Sequence, residues 1–182
     1  MAEEEASQRE KHLTMSVLMT PDKANFSGNV HGGEMLKMLD EVAYACASRY
    51  CGNYVVTLSV DQVVFKQPVR IGELVTFLAT VNFTGRTSLE VGVKVVAENI
   101  PKRSCRHTNS CYFTMVAIDD NGKPVPVDPV VLDSLEDRRR YEGAKRRREF
   151  RREIQQRNEQ IREGSDVVLS AEPTTDEPRC RN

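Results

Sequence analysis

Three kinds of group that hydrolysis needs lie close together in this chain. Asn25 supplies an amide, His31-Gly32-Gly33 a run with small residues, and Asp40 a carboxylate, all within about fifteen residues. The stretch Asn25-Phe-Ser-Gly-Asn-Val-His-Gly-Gly-Glu34 reads as a loop that turns into a helix. A helix starting at His31-Gly32-Gly33 has free backbone N–H groups, and glycine lets a ligand approach them. Asp40 follows Gly33 by about two helical turns, roughly 10 Å along the axis. A positive helix end, an amide and a carboxylate together suit the hydrolysis of a polarised carbonyl.

Each candidate also has a plainer role. On a helix, Asp40 is flanked by Leu36, Ala43 and Ala47. A carboxylate beside an apolar stripe loses hydration, which favours work as a base over an ordinary solvated role. Glu41, four residues after Lys37, is explained by a surface ion pair. Asn25 also suits a turn, and Asn29 is its more structural rival. His31 stands at a helix start, where a structural hydrogen bond is expected rather than base catalysis. Gly32 and Gly33 act through backbone N–H donation. His107 falls in mid-strand without a metal-spaced partner and reads as a core or interface residue. Cys46 and Cys51 point in different directions on a helix, and packing explains them. No G-x-S-x-G marks a serine nucleophile.

The helix that must carry Asp40 is well patterned. Met35, Leu39, Val42 and Cys46 form one stripe, and Leu36, Ala43 and Ala47 the next. Gly52-Asn53 stops it. Four strand-like segments follow: Tyr54 to Lys66, Glu73 to Thr84, Thr87 to Glu98 and Arg106 to Asp119. A phase change in the first predicts a bulge near Asp61-Gln62. Ile100-Pro101-Lys102 reads as a hairpin turn, so antiparallel pairing is expected. One long helix with antiparallel strands is an α+β layout. Residues 1–12 are charged and expected to be a flexible N-terminus, and 13–133 form the domain. Residues 134–163 read as a charged helical extension, and 164–182 as a disordered tail.

Of 182 residues, 39% are hydrophobic and 29% charged, which predicts a soluble domain. No apolar run approaches the ~20 residues of a membrane span. The acidic Met-Ala-Glu-Glu-Glu-Ala start lacks the apolar core of a secretory signal. Five cysteines without CxxC spacing suggest reduced thiols, a cytoplasmic location and no zinc site. A net charge of -1 provides no global steering towards nucleic acid. The Arg-rich stretch Arg138 to Arg152 is diluted by acids and offers only Tyr141 and Phe150 for stacking, which disfavours RNA binding.

Several stretches taken together resemble one family. They are Asn25-Phe-Ser-Gly-Asn-Val-His-Gly-Gly33, Asp40, Tyr54-Val-Val-Thr-Leu-Ser-Val-Asp61, Gly85-Arg-Thr-Ser88, Arg106-His-Thr-Asn109 and Arg140-Tyr-Glu142. The combination is similar to the acyl-CoA thioesterases of the hotdog superfamily, in the branch of bacterial and brain-type cytosolic acyl-CoA hydrolases. The resemblance spans about residues 13–148 and is silent on the Arg-rich tail. It implies an antiparallel sheet wrapped around one long central helix. It further implies hotdog dimers, often assembled as a trimer of dimers, with active sites at the interface. It maps catalysis onto Asn25 and Asp40, with Asp40 as general base or nucleophile and the Gly33 amide polarising the thioester. Gly32, Arg86, Thr87 and Ser88 become candidates for substrate binding, and outward Lys94 for a regulatory nucleotide contact. The implied substrate is acyl-CoA, with coenzyme A as a product and no separate cofactor or metal. Two alternatives remain: a hotdog dehydratase, disfavoured by the lack of a clear catalytic histidine, and a non-catalytic acyl-CoA or nucleotide sensor.

Overall fold

Helix α1, Gly32–Cys51, begins where the small residues predict. His31 is its N-cap, and the imidazole Nδ1 accepts the Gly33 N–H at 2.9 Å. That bond satisfies one of the orphan donors of the first turn. At the other end Gly52 adopts φ 69°, a left-handed conformation that costs glycine little, and its N–H returns to the Ser48 carbonyl. Between the caps, Met35, Leu39, Val42, Ala43, Cys46 and Ala47 are buried. Leu36, predicted to join that stripe, is instead 42% exposed. It lies beyond the edge of the face that the sheet covers.

A computed structural model of the chain describes residues 9–169, with side chains through residue 163. Strands β1 (His12–Leu18), β2 (Tyr54–Val60), β3 (Leu74–Thr84), β4 (Ser88–Asn99) and β5 (Ser104–Ile118) form one antiparallel sheet in the order β1-β3-β4-β5-β2. α1 packs against all five strands, which is the hotdog arrangement. Phe77 of β3, Val91 of β4 and Phe113 of β5 turn inward onto it and are essentially unexposed. Alternate residues face the helix, so a period-2 pattern meets a period-3.6 stripe.

Two expectations change. Leu13 to Leu18 is not a mere apolar lead-in but an edge strand, paired with β3 from His12↔Thr80 to Leu18↔Leu74. Its short length and preceding charges conceal it as a strand in the sequence. The bulge in β2 lies not at Asp61-Gln62 but at Leu58, where the register against β5 shifts between Thr57 and Ser59. The strand ends at Val60. Residues 61–66 then follow β5 more loosely, with Asp61 N–H on the Tyr112 carbonyl and Lys66 N–H on the Thr108 carbonyl.

Two compact units divide the chain, one through Tyr141 and one from Glu142 on. Helix α2, Leu135–Leu169, starts within the first. Ser134 and Asp137 cap it reciprocally: the Asp137 N–H donates to Ser134 Oγ, and the Ser134 N–H and hydroxyl donate to Asp137 Oδ2. Lys11 adds a 3.0 Å ion pair to Asp137, Arg140 donates to Thr80 Oγ1, and Tyr141 stacks at 5.2 Å on Phe83. Further along, pairs such as Lys145–Glu142 are the local contacts of a charged helix. Residues 164–169, expected in the disordered tail, belong instead to α2, while residues 170–182 of that tail and residues 1–8 of the expected flexible N-terminus lie outside the described part. Among the described residues no helix is long and apolar enough to cross a membrane.

Two predictions follow from this packing. Leu39→Ala removes a side chain with no exposure from the centre of the helix–sheet contact. It should lower stability by about 2–5 kcal/mol in urea denaturation. The second concerns Asp137. Desolvation pushes its carboxyl up, but hydrogen bonds from Ser134 and Lys11 outweigh this and hold it down at about 2, against 3.8 for a free side chain. A depressed folded-state pKa gives stability that is present above the unfolded value and lost as pH falls through the folded one. Asp137→Asn should therefore lower Tm at neutral pH, with the gap to wild type closing between about pH 4 and pH 2.

Candidate active site

The α1 burial pattern leaves Asp40 at the border of the apolar face, between fully buried Leu39 and exposed Glu41. Asp40 is half-buried, and its Oδ1 accepts a 2.6 Å hydrogen bond from the hydroxyl of Thr57. Thr57 shares the helix-facing side of β2 with buried Val55. The Leu58 bulge begins immediately after it. The same hydroxyl lies 3.4 Å from Met115 Sδ on β5. One carboxylate oxygen is thus held, and Oδ2 has no partner among the described residues. In the sequence Thr57 stands out only as part of the Tyr54–Asp61 motif, and its alternation with Val56, Leu58 and Val60 does not mark it as helix-facing.

Asp40 and Thr57 open onto a cleft of about 380 Å³ between α1 and β2, which Glu41, Tyr44, Tyr54 and Val56 also line. Tyr44, one turn after Asp40, meets Tyr54 edge to face at 5.5 Å. Glu41 does not form the expected ion pair with Lys37. It is exposed and stands on the cleft wall beside Asp40.

Asn25 closes its own loop. Its Oδ1 accepts from the Ser27 N–H at 2.9 Å, the Ser27 hydroxyl at 2.8 Å and the Asn29 N–H at 3.1 Å. The Asn25 N–H donates to the Asn29 carbonyl, and Gly28 turns with φ 76°. The carboxamide nitrogen has no acceptor among the described residues. Asn29 fills the structural role expected of it. Within one chain, Asn25 and Asp40 share no hydrogen bond.

At the helix start, His31 engages the Gly33 N–H as a cap. This is the structural bond expected of His31, and it occupies the donor assigned to polarising a carbonyl. The neighbouring Gly32 N–H has no acceptor among the described residues. A Cβ at Gly32 would approach Phe65 at 3.9 Å, so the ring of Phe65 lies over this end of the helix.

Arg86 and Thr87 lie in the turn from β3 to β4, and Ser88 opens β4. The Arg86 and Thr87 carbonyls accept from Val127 and Ala117, and none of the three lines the Asp40 cleft. Lys94 is exposed on β4, opposite Leu78 and Ser110. His107 is half-buried, with Nε2 2.8 Å from Ser110 Oγ. Burial pushes the Cys46 and Cys111 thiols up to about 12, which removes them as thiolate nucleophiles at neutral pH. Cys51 is also buried, Cys105 is exposed, and Cys180 lies outside the described residues.

Residues 27–103 match the family model of the Thioesterase superfamily. The chain is 54% identical to protein VdlD of Helicobacter pylori over 76% of its own length and 79% of that protein. Its structure resembles a crystal structure of a hexameric acyl-CoA thioesterase, with 35% identity, a TM-score of 0.77, and coverage of 80% of this chain and 93% of the other. It also resembles the acyl-CoA hydrolase of Staphylococcus aureus, solved with butyryl coenzyme A and coenzyme A. There the identity is 28%, the TM-score 0.78 and the coverage 86% and 96%. Alanine variants of that hydrolase at an aspartate, an asparagine and a threonine have been solved as well. In its chain the asparagine precedes the aspartate by 15 residues and the threonine follows it by 17, which are the separations of Asn25, Asp40 and Thr57 here. Fold, sequence and the spacing of these three side chains agree on one placement: the chain belongs to the thioesterase superfamily, among its hotdog-fold acyl-CoA hydrolases.

Proposed function

We propose that this protein hydrolyses acyl-CoA to a free fatty acid and coenzyme A, with Asp40 as general base, Thr57 holding that base, and Asn25 supplied by a second protomer. The observation that carries the reading is the 2.6 Å Thr57–Asp40 bond at the mouth of a cleft. The matched spacing of three substituted residues in the Staphylococcus aureus hydrolase supports it.

The chemistry follows from the free groups. With Oδ1 anchored by Thr57, Oδ2 of Asp40 is available to take a proton from water as its oxygen attacks the thioester carbon. The carbonyl oxygen gains charge in that step and is met by backbone N–H groups at the positive end of α1. Gly32 offers its N–H directly, and Gly33 does so once His31 releases it. The tetrahedral intermediate collapses by breaking the C–S bond, and the proton on Asp40 passes to the departing coenzyme A sulfur. The Asn25 carboxamide nitrogen orients water or substrate. Arg86, Thr87 and Ser88 remain candidates for the coenzyme A phosphates, and Lys94 for a regulatory contact.

A site shared between protomers accounts for the separation of Asn25 from Asp40 in one chain. The sheet also presents a suitable surface. β2 is an edge strand, paired only with β5, and Val56, Leu58 and Val60 on it are exposed. An open apolar edge of this kind calls for a partner. A second copy pairing there would bring two clefts to a two-fold axis. We infer hotdog dimers, assembled as a trimer of dimers; that two neighbours of known structure are hexameric supports an assembly of six chains.

Release of free thiol from a panel of acyl-CoA chain lengths tests the activity; a protein that binds acyl-CoA without releasing thiol is a sensor. Asp40→Asn should fold normally and lose about 10²–10⁴ in kcat. Retention of more than half of wild-type kcat would remove Asp40 from the mechanism. Thr57→Val deletes a hydrogen bond to a charged group, worth about 1.5–3 kcal/mol, and should slow turnover roughly ten- to a hundredfold.

Co-expression of Asn25→Ala and Asp40→Ala chains tests sharing. Partial recovery is expected, because some interfaces pair an intact Asn25 with an intact Asp40. Mixed dimers that form and stay inactive would show that each site is built within one chain.

A further inference from the structure

Arg106, on β5, is far from Asp40 in sequence and makes an arrangement that the reaction does not explain. Its guanidinium grips Glu73 with both ends, Nη1 to Oε1 at 2.7 Å and Nη2 to Oε2 at 2.6 Å. Nη2 also donates to the Pro68 carbonyl at 2.7 Å. Glu73 is 3% exposed while the Arg106 side chain keeps 26% of its surface in solvent, so this is a bidentate, charge-assisted pair with a buried carboxylate and a half-buried guanidinium. Glu73 Oε2 accepts the Arg70 N–H as well, at 2.9 Å. One pair therefore sets the backbone at residues 68, 70 and 73, in the irregular segment between β2 and β3.

That segment is what the Asn25 loop leans on. The Val30 N–H donates to the Val69 carbonyl at 2.8 Å, and Asn29 bridges Arg70. Asn29 in turn accepts the Asn25 N–H and donates to Asn25 Oδ1. From guanidinium to candidate catalytic amide the path is continuous: Arg106 to Glu73, Glu73 to the Arg70 N–H, Arg70 to Asn29, and Asn29 to Asn25. Every link is a hydrogen bond or a β-bridge. A loop of this kind has no ladder of its own to hold it, and a misplacement of about 1 Å at a reacting group costs on the order of a hundredfold in rate.

We propose that Arg106 and Glu73 form a positioning clamp for the Asn25 loop, acting on catalysis through that loop and not by touching substrate. The clamp rests on the reading of Asn25 as catalytic, whereas its effect on the loop does not. Lysine cannot replace Arg106 fully, because a single ammonium lacks the fork that engages two carboxylate oxygens and a carbonyl together.

The test uses the full-length protein with Arg106→Gln, Arg106→Lys, Glu73→Gln and Asn25→Ala. Amide hydrogen exchange should quicken roughly tenfold or more at Asn29 and Val30 in Arg106→Gln, with Val42 to Ala47 in α1 unchanged. Turnover should fall about ten- to a hundredfold with KM nearly constant, and Arg106→Lys should restore part of it. In an Asn25→Ala background, Arg106→Gln should slow turnover by less than about twofold more. Unaltered exchange in the Asn25 loop would overturn the clamp, and so would losses that add fully to that of Asn25→Ala. If neither Arg106→Lys nor Glu73→Gln folds, the pair is a folding element and the proposal fails. If Asn25→Ala alone keeps full activity, the catalytic reading of Asn25 fails, and loop exchange still decides whether the clamp holds the loop.

Discussion

Helix α1 must bury an apolar face against five strands, and that burial dictates where a carboxylate can stand. A charge at Leu39, Val42 or Ala43 would lose its hydration with nothing to replace it. A charge on the opposite face would be fully hydrated and remote from the sheet. The border position of Asp40 meets both demands. One oxygen faces a hydroxyl supplied by β2, and the other remains available to a ligand. The positive end of the helix lies two turns away, fixed by the same helix and therefore at a constant distance. The placement of this carboxylate is a by-product of packing a stiff rod on a sheet.

Around that rod, polar groups are used sparingly and almost completely. His31 caps the Gly33 N–H, Asn25 Oδ1 gathers three donors, and Ser134 and Asp137 cap α2 reciprocally. Each of these segments has no ladder of its own, so side chains supply the bonds that a strand or helix interior would make. The Arg106–Glu73 pair does the same over a longer reach, tying β5 to the segment before β3. Rigid elements set the helix-borne carboxylate, and hydrogen-bonded loops set the amide. The two halves of the candidate site are held by different physics.

The edge of the sheet completes this division. β2 carries Thr57 inward to Asp40 and Val56 and Leu58 outward, with the bulge at Leu58 increasing the local twist. One short strand thereby lines the cleft with one face and leaves apolar side chains exposed on the other. An apolar edge also provides a reason for the chain not to act alone.

Much of this was legible in the sequence, because it follows from periodicity and local sterics. The 3.6-residue stripe from Met35 to Cys46 marked α1, alternation marked β3, β4 and β5, and His31-Gly32-Gly33 and Gly52 marked the helix ends to within a residue. The sequence also set Asp40 apart as a carboxylate beside an apolar stripe, whereas Asn25 stood out chiefly through the family resemblance. What it did not carry was register and partner choice. That Leu13 to Leu18 is a strand depends on β3 being there to pair with it. That the bulge is at Leu58 depends on Met115 and Thr114 across the ladder. Thr57 reaches Asp40, Glu41 turns from Lys37 to the cleft, and Arg106 finds Glu73 only once the sheet brings distant residues together. Local preference acts over a few bonds of the chain, whereas these contacts join residues 17 and 33 positions apart. The helix and its carboxylate were therefore settled by sequence alone, and the partners that make the carboxylate useful were decided by the tertiary structure.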